Sequence, residues 1–328
     1  MDFRTQIIIP RMPFDFSYDD KVMVVGSCFA DNIGNRLIDS KFRVDANPFG
    51  TLYNPASIAS SLRLLMEPKP FTEDDLFLHN GLYHSFSHHG RFSSVSAETT
   101  LQMINSQLAA SADSLRKASR LIVTLGTAYT YRSKETDQVV ANCHKLPDKA
   151  FTRERLTVQQ IVWDWKECLR NLHALNPDLC VLFTVSPIRH WKDGAHANQL
   201  SKATLLLAVE AIQQVCPEQI AYFPAYELMM DELRDYRFYA DDMLHPSPLA
   251  VEYIWQQFAA SLFSPDTQRA LREWIEIQKA INHKPFNPSS EGYRQFILQT
   301  LLKIERLNEK IRSFDLREEI ETLKSKLN

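Results

Sequence analysis

At 328 residues the chain has room for one large domain or two modest ones around a proper buried core. Its 45% hydrophobic and 23% charged content is ordinary for a globular protein, and a formal net charge of −3 leaves no electrostatic footprint for nucleic acid or an anionic membrane. Five scattered cysteines, odd in number and without a CxxC pair, argue against a disulfide framework or a structural zinc site and fit a reducing compartment.

Residues 1–20 read as an extended lead-in, because Pro10 and Pro13 oppose regular structure. The apolar run before Pro10 is three residues long, too short for the core of a signal peptide. No apolar stretch is long enough to span a bilayer, so a cytoplasmic protein without a membrane partner is expected.

The stretch KVMVVGSCFADNIGNRL, residues 21–37, is the one around which the chain is organised. Four apolar residues, mostly β-branched, predict a strand buried on both faces of a parallel sheet. Gly26 breaks the run, and Phe29, Ile33 and Leu37 then fall four apart, on one helix face. Ser27 stands in the turn, where this stretch alone favours a helix N-cap over a ligand-facing hydroxyl. With only eight glycines in the chain, each is expected where a side chain would obstruct the backbone.

Phe42-Arg43-Val44 predicts a short second strand running into the turn Asn47-Pro48-Phe49-Gly50, and Asn54 or Ser57 caps the next helix. Residues 67–100 are polar and aromatic. The four histidines His79, His84, His88 and His89 match no helical zinc spacing and read as loop histidines. A helix over 97–118 leads to the strand 121–125, which ends at Gly126-Thr127-Ala128. Residues 129–132 and 138–143 predict a β-hairpin around a charged turn. Next come an amphipathic helix over 157–174, a strand over 180–185, and a loop over 188–198 rich in His, Trp and Gly that reads as exposed. A helix over 199–215, a fifth strand over 220–223 and a final helix over 250–262 complete the alternation.

Five strands alternating with helices predict a three-layer α/β domain with a parallel sheet over residues 1–262. Residues 263–328 differ in kind. Apolar residues step by three and four among charged ones, which predicts a helical extension packing on the domain or on a second copy as a homodimer.

Four features meet at the carboxyl edge of that sheet: Ser27 after the first strand, Gly50 after the second, Gly126-Thr127 after the third, and Asp242-Met243-Leu244-His245 after the fifth. An Asp three residues before a His lets one loop present both side chains to one cleft. A buried carboxylate can fix the imidazole's tautomer, and the imidazole can take a serine proton. Tyr53, Tyr129, Tyr131 and Trp191 suit the wall of a pocket for sugar or acyl groups, though taken singly each is more often a packing residue.

Gly26-Ser27-Cys28-Phe29-Ala30 spells the signature that gives the GSCFA family its name. Over roughly residues 3–260 the sequence resembles a bacterial member. Matching stretches are NPFGTLYNPASIA (47–59), LGTAYTY (125–131), CHK (143–145), SPIRH (186–190), the region of Asn198, Ser201 and Lys202, and LRDYRFYADDMLHPS (233–247). The C-terminal helices lie outside this resemblance. The family is placed with the SGNH, or GDSL-like, hydrolases. The resemblance therefore implies a flavodoxin-like α/β/α sandwich with a five-stranded parallel sheet and a serine esterase mechanism.

Carried over position by position, the resemblance makes Ser27 the nucleophile, with Cys28 as the alternative, because the hydroxyl falls one place earlier than in Gly-Asp-Ser. Nothing adjacent is cationic to activate a Cys28 thiol, which favours Ser27. Gly50 matches an oxyanion-binding backbone N–H, and Asp242 and His245 match the orienter and general base. Gly126-Thr127-Ala128 departs from the usual Gly-x-Asn, so the amide donor is missing. Thr127, Asn142 or His144 are its expected substitutes. Cys28, Asn47, Tyr53, Tyr129, Asn142, His144, His190 and Asn198 are the expected substrate-binding set. The implied activity is removal of a small acyl group, such as acetyl, from a small-molecule or glycan alcohol, with no cofactor and no metal. An acyltransferase using the same site, or a non-catalytic glycan- or partner-binding module, are the alternatives.

Overall fold

The computed structural model describes residues 4–327. Five parallel strands form the central sheet: β1 (Lys21–Gly26), β2 (Arg43–Ala46), β5 (Arg120–Leu125), β9 (Cys180–Val185) and β10 (Ile220–Tyr222), in the order β10-β9-β5-β1-β2. This is the flavodoxin-like order, with the winding direction reversing between β1 and β5. The alternation of side chains along each strand feeds two cores. Met23, Val25, Leu121, Val123, Val181 and Phe183 face one layer, formed by α2 (Pro55–Met66), α3 (Ala97–Lys117), α4 (Val158–Leu175) and α5 (Gly194–Gln213). Val22, Val24, Ile122, Leu182 and Ala221 face the other, with α1 (Cys28–Asp39) and α7 (Pro248–Leu262). A one-turn α6 (Ala225–Glu227) follows β10.

Two small antiparallel sheets decorate the loops. The hairpin β3 (Phe77–His79) and β4 (Leu82–His84) turns at Asn80-Gly81, both at positive φ, within the stretch read from sequence only as loop. The hairpin expected over 129–143 is present as β6 (Tyr129–Ser133) and β7 (Val139–Val140), and a third strand, β8 (Phe151–Arg155), pairs along the other side of β6. The sequence FTRER hid β8, because four of its five residues are exposed and no apolar alternation marks it. The region 188–198 is the exposed loop its composition suggests only in part: Trp191, Lys192, Gly194, Ala195 and His196 are exposed. Ile188 and Asn198 are buried, and α5 already begins at Gly194.

The C-terminal helices α8 (Pro265–Ile281), α9 (Glu291–Lys310) and α10 (Arg317–Ser325) pack on the domain and share its core. Phe16 in the lead-in pairs with Phe263, and Phe314 meets the Tyr18 ring edge-on with centroids 4.5 Å apart. The buried Trp274 donates its indole N–H to the Asp39 carbonyl at the end of α1 (2.8 Å). Trp274→Ala is expected to cost about 3–5 kcal/mol, the range for large aromatic deletions from a core. Denaturant unfolding checks this; a loss within the error of extrapolation would mean that these helices are not integrated with the sheet.

Candidate functional site

Gly26 lets β1 leave the sheet. At φ +141° it occupies backbone space that L side chains avoid, and a Cβ there would run into the Thr124 carbonyl of β5. Its N–H is taken by Asn47 Oδ1 (2.8 Å), and the Asn47 amide nitrogen donates to Asp31 (2.6 Å). Asn47 thus braces the turn and does not line the cavity at Ser27. Ser27 continues the ladder by donating its N–H to Thr124 O (3.1 Å) and becomes the N-cap residue of α1. Its side chain makes no capping bond. The hydroxyl oxygen is buried and has no hydrogen-bond partner among the described residues, and the residue is 1% exposed. The capping role open in the sequence is therefore not the one its hydroxyl takes here.

Ser27 lines a cavity of about 550 Å³ at the switch point between β1 and β5, where open α/β sheets bind ligands. His245, Cys28, Tyr53, Thr127, Tyr129, Asn142 and His190 line the same cavity. Gly126 makes the convergence possible: a Cβ there would lie 3.0 Å from Tyr53 O, 3.2 Å from His190 Nε2 and 3.3 Å from Ser27 Cβ. Cys28 Sγ lies 3.4 Å from the Tyr53 hydroxyl, whose pKa burial and then Cys28 push up.

The Asp242–His245 loop turns through Met243 at φ +59°, a left-handed conformation uncommon for such a residue. Asp242 Oδ1 accepts the N–H groups of Leu244 and His245 (2.9 Å each), and Oδ2 meets His245 Nδ1 at 2.5 Å. The backbone N–H of His245, then that of Leu244, and then the imidazole hold the carboxyl down at about 2. A carboxylate only accepts, so Nδ1 carries a proton, and in the neutral imidazole Nε2 is the acceptor. The pair is half exposed, 47% for the Asp242 side chain and 49% for His245, so the orienting carboxylate is not the buried one expected from sequence. Asp242, not Asp241, is the partner.

Other expected residues are placed differently. The Gly50 N–H donates to Asn47 O within its own turn (2.7 Å), and Gly50 does not line the cavity. The Thr127 hydroxyl accepts the Tyr129 N–H (3.2 Å) and pairs with Ser201 (3.1 Å). Ala128 is buried in the core and donates its N–H to Ser201 Oγ (2.8 Å), so its side chain does not face a ligand. Asn142 accepts the His144 N–H (2.8 Å), while His144 is turned to Ser85 O (2.8 Å) and the His84 ring, away from the cavity. Buried Asn198 accepts the His190 N–H (2.9 Å), fixing the wall from behind.

Sequence reasoning assigned Asn54 only a cap. Its Oδ1 does cap α2 through Ser57 N (2.8 Å), yet the residue also lines the cavity, and its amide nitrogen has no partner among the described residues. The signal was in the sequence, since Asn54 directly follows the Tyr53 of NPFGTLYNP.

Fold and site define an α/β protein with a buried, unpartnered serine at the sheet's switch point and an aspartate-held histidine on the same cavity. Residues 21–258 match the GSCFA family model, so the chain belongs to the GSCFA family. Residues 274–328 match the model described as the C-terminal domain of GSCFA domain proteins, which corrects the reading that left these helices outside the resemblance. A search of curated proteins found no match. Among solved structures the chain is similar to an acetyl xylan esterase, Est2A, from the rumen bacterium Butyrivibrio proteoclasticus. The identity is 10% and the TM-score 0.38, over 79% of this chain. This chain spans 66% of that one's length, and at this identity and score the likeness says nothing about chemistry. Among the described residues no helix is long and apolar enough to cross a membrane.

Three histidines in and beside the site resist protonation. Burial is the first cause for each, lowering His190 and His144 to about 4 and His88 to about 3. The unfolded chain takes up these protons near the ordinary value of 6.5, before the folded one does. Stability from these groups is therefore full above 6.5 and is lost as pH falls toward about 4. Thermal unfolding measured across that window should show a falling Tm, partly rescued in His144→Asn. A Tm insensitive to pH across it would refute the neutral burial of these rings.

Proposed function

We propose that the protein is a serine esterase of the SGNH type that removes a small acyl group, such as acetyl, from an alcohol. One observation carries the reading: the Ser27 hydroxyl is buried without a partner on the cavity that also holds His245, whose Nδ1 is bound to Asp242. An unsatisfied buried hydroxyl costs free energy, and among the several such hydroxyls of the described residues that of Ser27 is the one on this cavity.

In this reading Ser27 Oγ attacks the ester carbonyl while His245 Nε2 takes its proton. The C–O bond to the alcohol then breaks as His245 returns the proton to the leaving oxygen. Water repeats the sequence on the acyl-serine and releases the acid. Asp242 stabilises the imidazolium formed in each half.

The oxyanion falls to groups other than those the family pattern suggests. Gly50 has spent its N–H, and Ala128 has no donor facing the cavity. The Ala30 N–H is also spent, on Ser27 O (2.7 Å), so the Cys28 and Phe29 N–H groups at the start of α1 and the Asn54 amide remain.

Ser27→Ala and His245→Ala should abolish acid release from acetylated sugars and small acetyl esters, and a fluorophosphonate should label the wild type but not Ser27→Ala. Absence of both labelling and acid release in the wild type would reject the reading. New ester formed on an added glycan alcohol would instead assign the same residues to acyl transfer.

Asn54→Asp keeps the capping oxygen but removes the donor. It should lower kcat by about 10²–10³ with little change in Tm. An unchanged kcat would remove Asn54 from the oxyanion site.

A further inference from the structure

The wall of the cavity beyond Ser27 carries more positive charge than its own carboxylates neutralise. Lys145, Arg153, Arg189 and Lys192 line it, against Asp148 and Asp193, whereas the chain as a whole is negative. Two of the four cations are committed. Arg153 is ion-paired with Asp193 and lies over the Tyr129 ring at 4.0 Å, and Lys192 is shared between Asp148 (3.5 Å) and the Tyr131 hydroxyl (3.4 Å).

Arg189 differs. It is half-buried, makes no ion pair and no hydrogen bond among the described residues, and its Nε is a buried donor without an acceptor. Its guanidinium carbon lies over two aromatic rings, 5.3 Å from the Trp191 ring centre and 5.7 Å from that of Tyr239. These cation–π contacts help place the fork but supply no acceptor for its N–H groups, and a planar fork is matched by a carboxylate or a phosphate.

We infer that Arg189 binds an anionic group of the substrate, so that the ester acted on is an acylated acidic sugar or acidic metabolite. The inference rests on the esterase reading for the word ester, but the anion site itself does not need turnover. Tyr239 pairs with Pro246 across the ribbon that ends in His245, which places the anion site on the histidine side of the cavity. The substrate would then lie with its anionic group over Arg189 and its ester toward Ser27.

The test uses full-length Ser27→Ala protein and calorimetry, so binding is read without reaction. Three probes share one scaffold: acetylated methyl glucoside, acetylated methyl glucuronide, and acetylated methyl glucoside 6-phosphate. At least one anionic probe should bind about tenfold or more tightly than the neutral one, with a preference that weakens as salt is raised. Whichever anion wins tells carboxylate from phosphate.

Adding Arg189→Gln should bring the anionic-to-neutral ratio close to one, and Arg189→Lys should retain part of it. Equal affinity for all three probes, no binding of any, or a preference that survives Arg189→Gln would overturn the inference. Acid release by the wild type is scored separately. Hydrolysis without anion preference removes only this inference, and anion preference without hydrolysis removes only the esterase reading.

Discussion

An ammonium group shut away from water ties the carboxyl edge of the sheet together. Lys202, projecting from α5 and 1% exposed, donates to the carbonyls of Gly126 and Ser186, each at 2.7 Å. These residues directly follow β5 and β9, so one side chain fixes where both strands stop. Burial lowers its pKa to about 7. Charged or neutral, the nitrogen keeps at least two N–H bonds, enough for both carbonyls. The amides of Gly126 and Thr127 are spent as well, both donating to Tyr53 O (2.8 and 3.0 Å). The end of β5 therefore offers a ligand space, through the missing side chain of Gly126, and no backbone donor. In the proposed mechanism this leaves an oxyanion its donors at the start of α1 and at Asn54. Lys202 also acts at a distance: after burial, its charge is the largest influence holding His190 neutral.

Helix α1 connects this edge to the rest of the molecule. Its first turn follows Ser27, and its last residue, Asp39, accepts from Trp274 (2.8 Å) and Gln278 (3.0 Å) of α8. Twelve residues at 1.5 Å each put about 18 Å between the two ends. No residue of α8, α9 or α10 lines the Ser27 cavity. They share one apolar core with α1, Phe16, Tyr18 and Phe42, a contribution to stability that leaves the site open.

Legibility in the sequence depended on whether a signal is one-dimensional. The runs 22–25, 121–125 and 180–185 are apolar because both faces of those strands are covered, and they predict a parallel sheet. Asp242 and His245 lie three apart, so one loop sets their pairing. The hairpin turn at Asn80-Gly81 was visible in the sequence but hidden among histidines that suggested only loop. Other features depend on long-range packing and left no local mark. Strand β8 exists because β6 gives it an edge to pair with, and its own residues are mostly solvated. The free nitrogen of Asn54, the spent N–H of Gly50 and the inward-facing Ala128 are each decided by a partner that periodicity cannot name.

The site is asymmetric, and the asymmetry bears on how it would work. Ser27 is buried at the end of a buried strand, while the Asp242–His245 pair stands half in water on a loop with a left-handed Met243. Water competes for the imidazole and weakens the field of the carboxylate behind it. A substrate that fills the cavity would displace that water from the His245 side and strengthen the pair only when it is needed. An anionic group on Arg189 suits this, because Arg189 lies over the ring of Tyr239, whose bridge partner Pro246 adjoins His245. Binding at the arginine would thus be coupled to the environment of the base, so that recognition of the acidic group and activation of Ser27 draw on one contact surface.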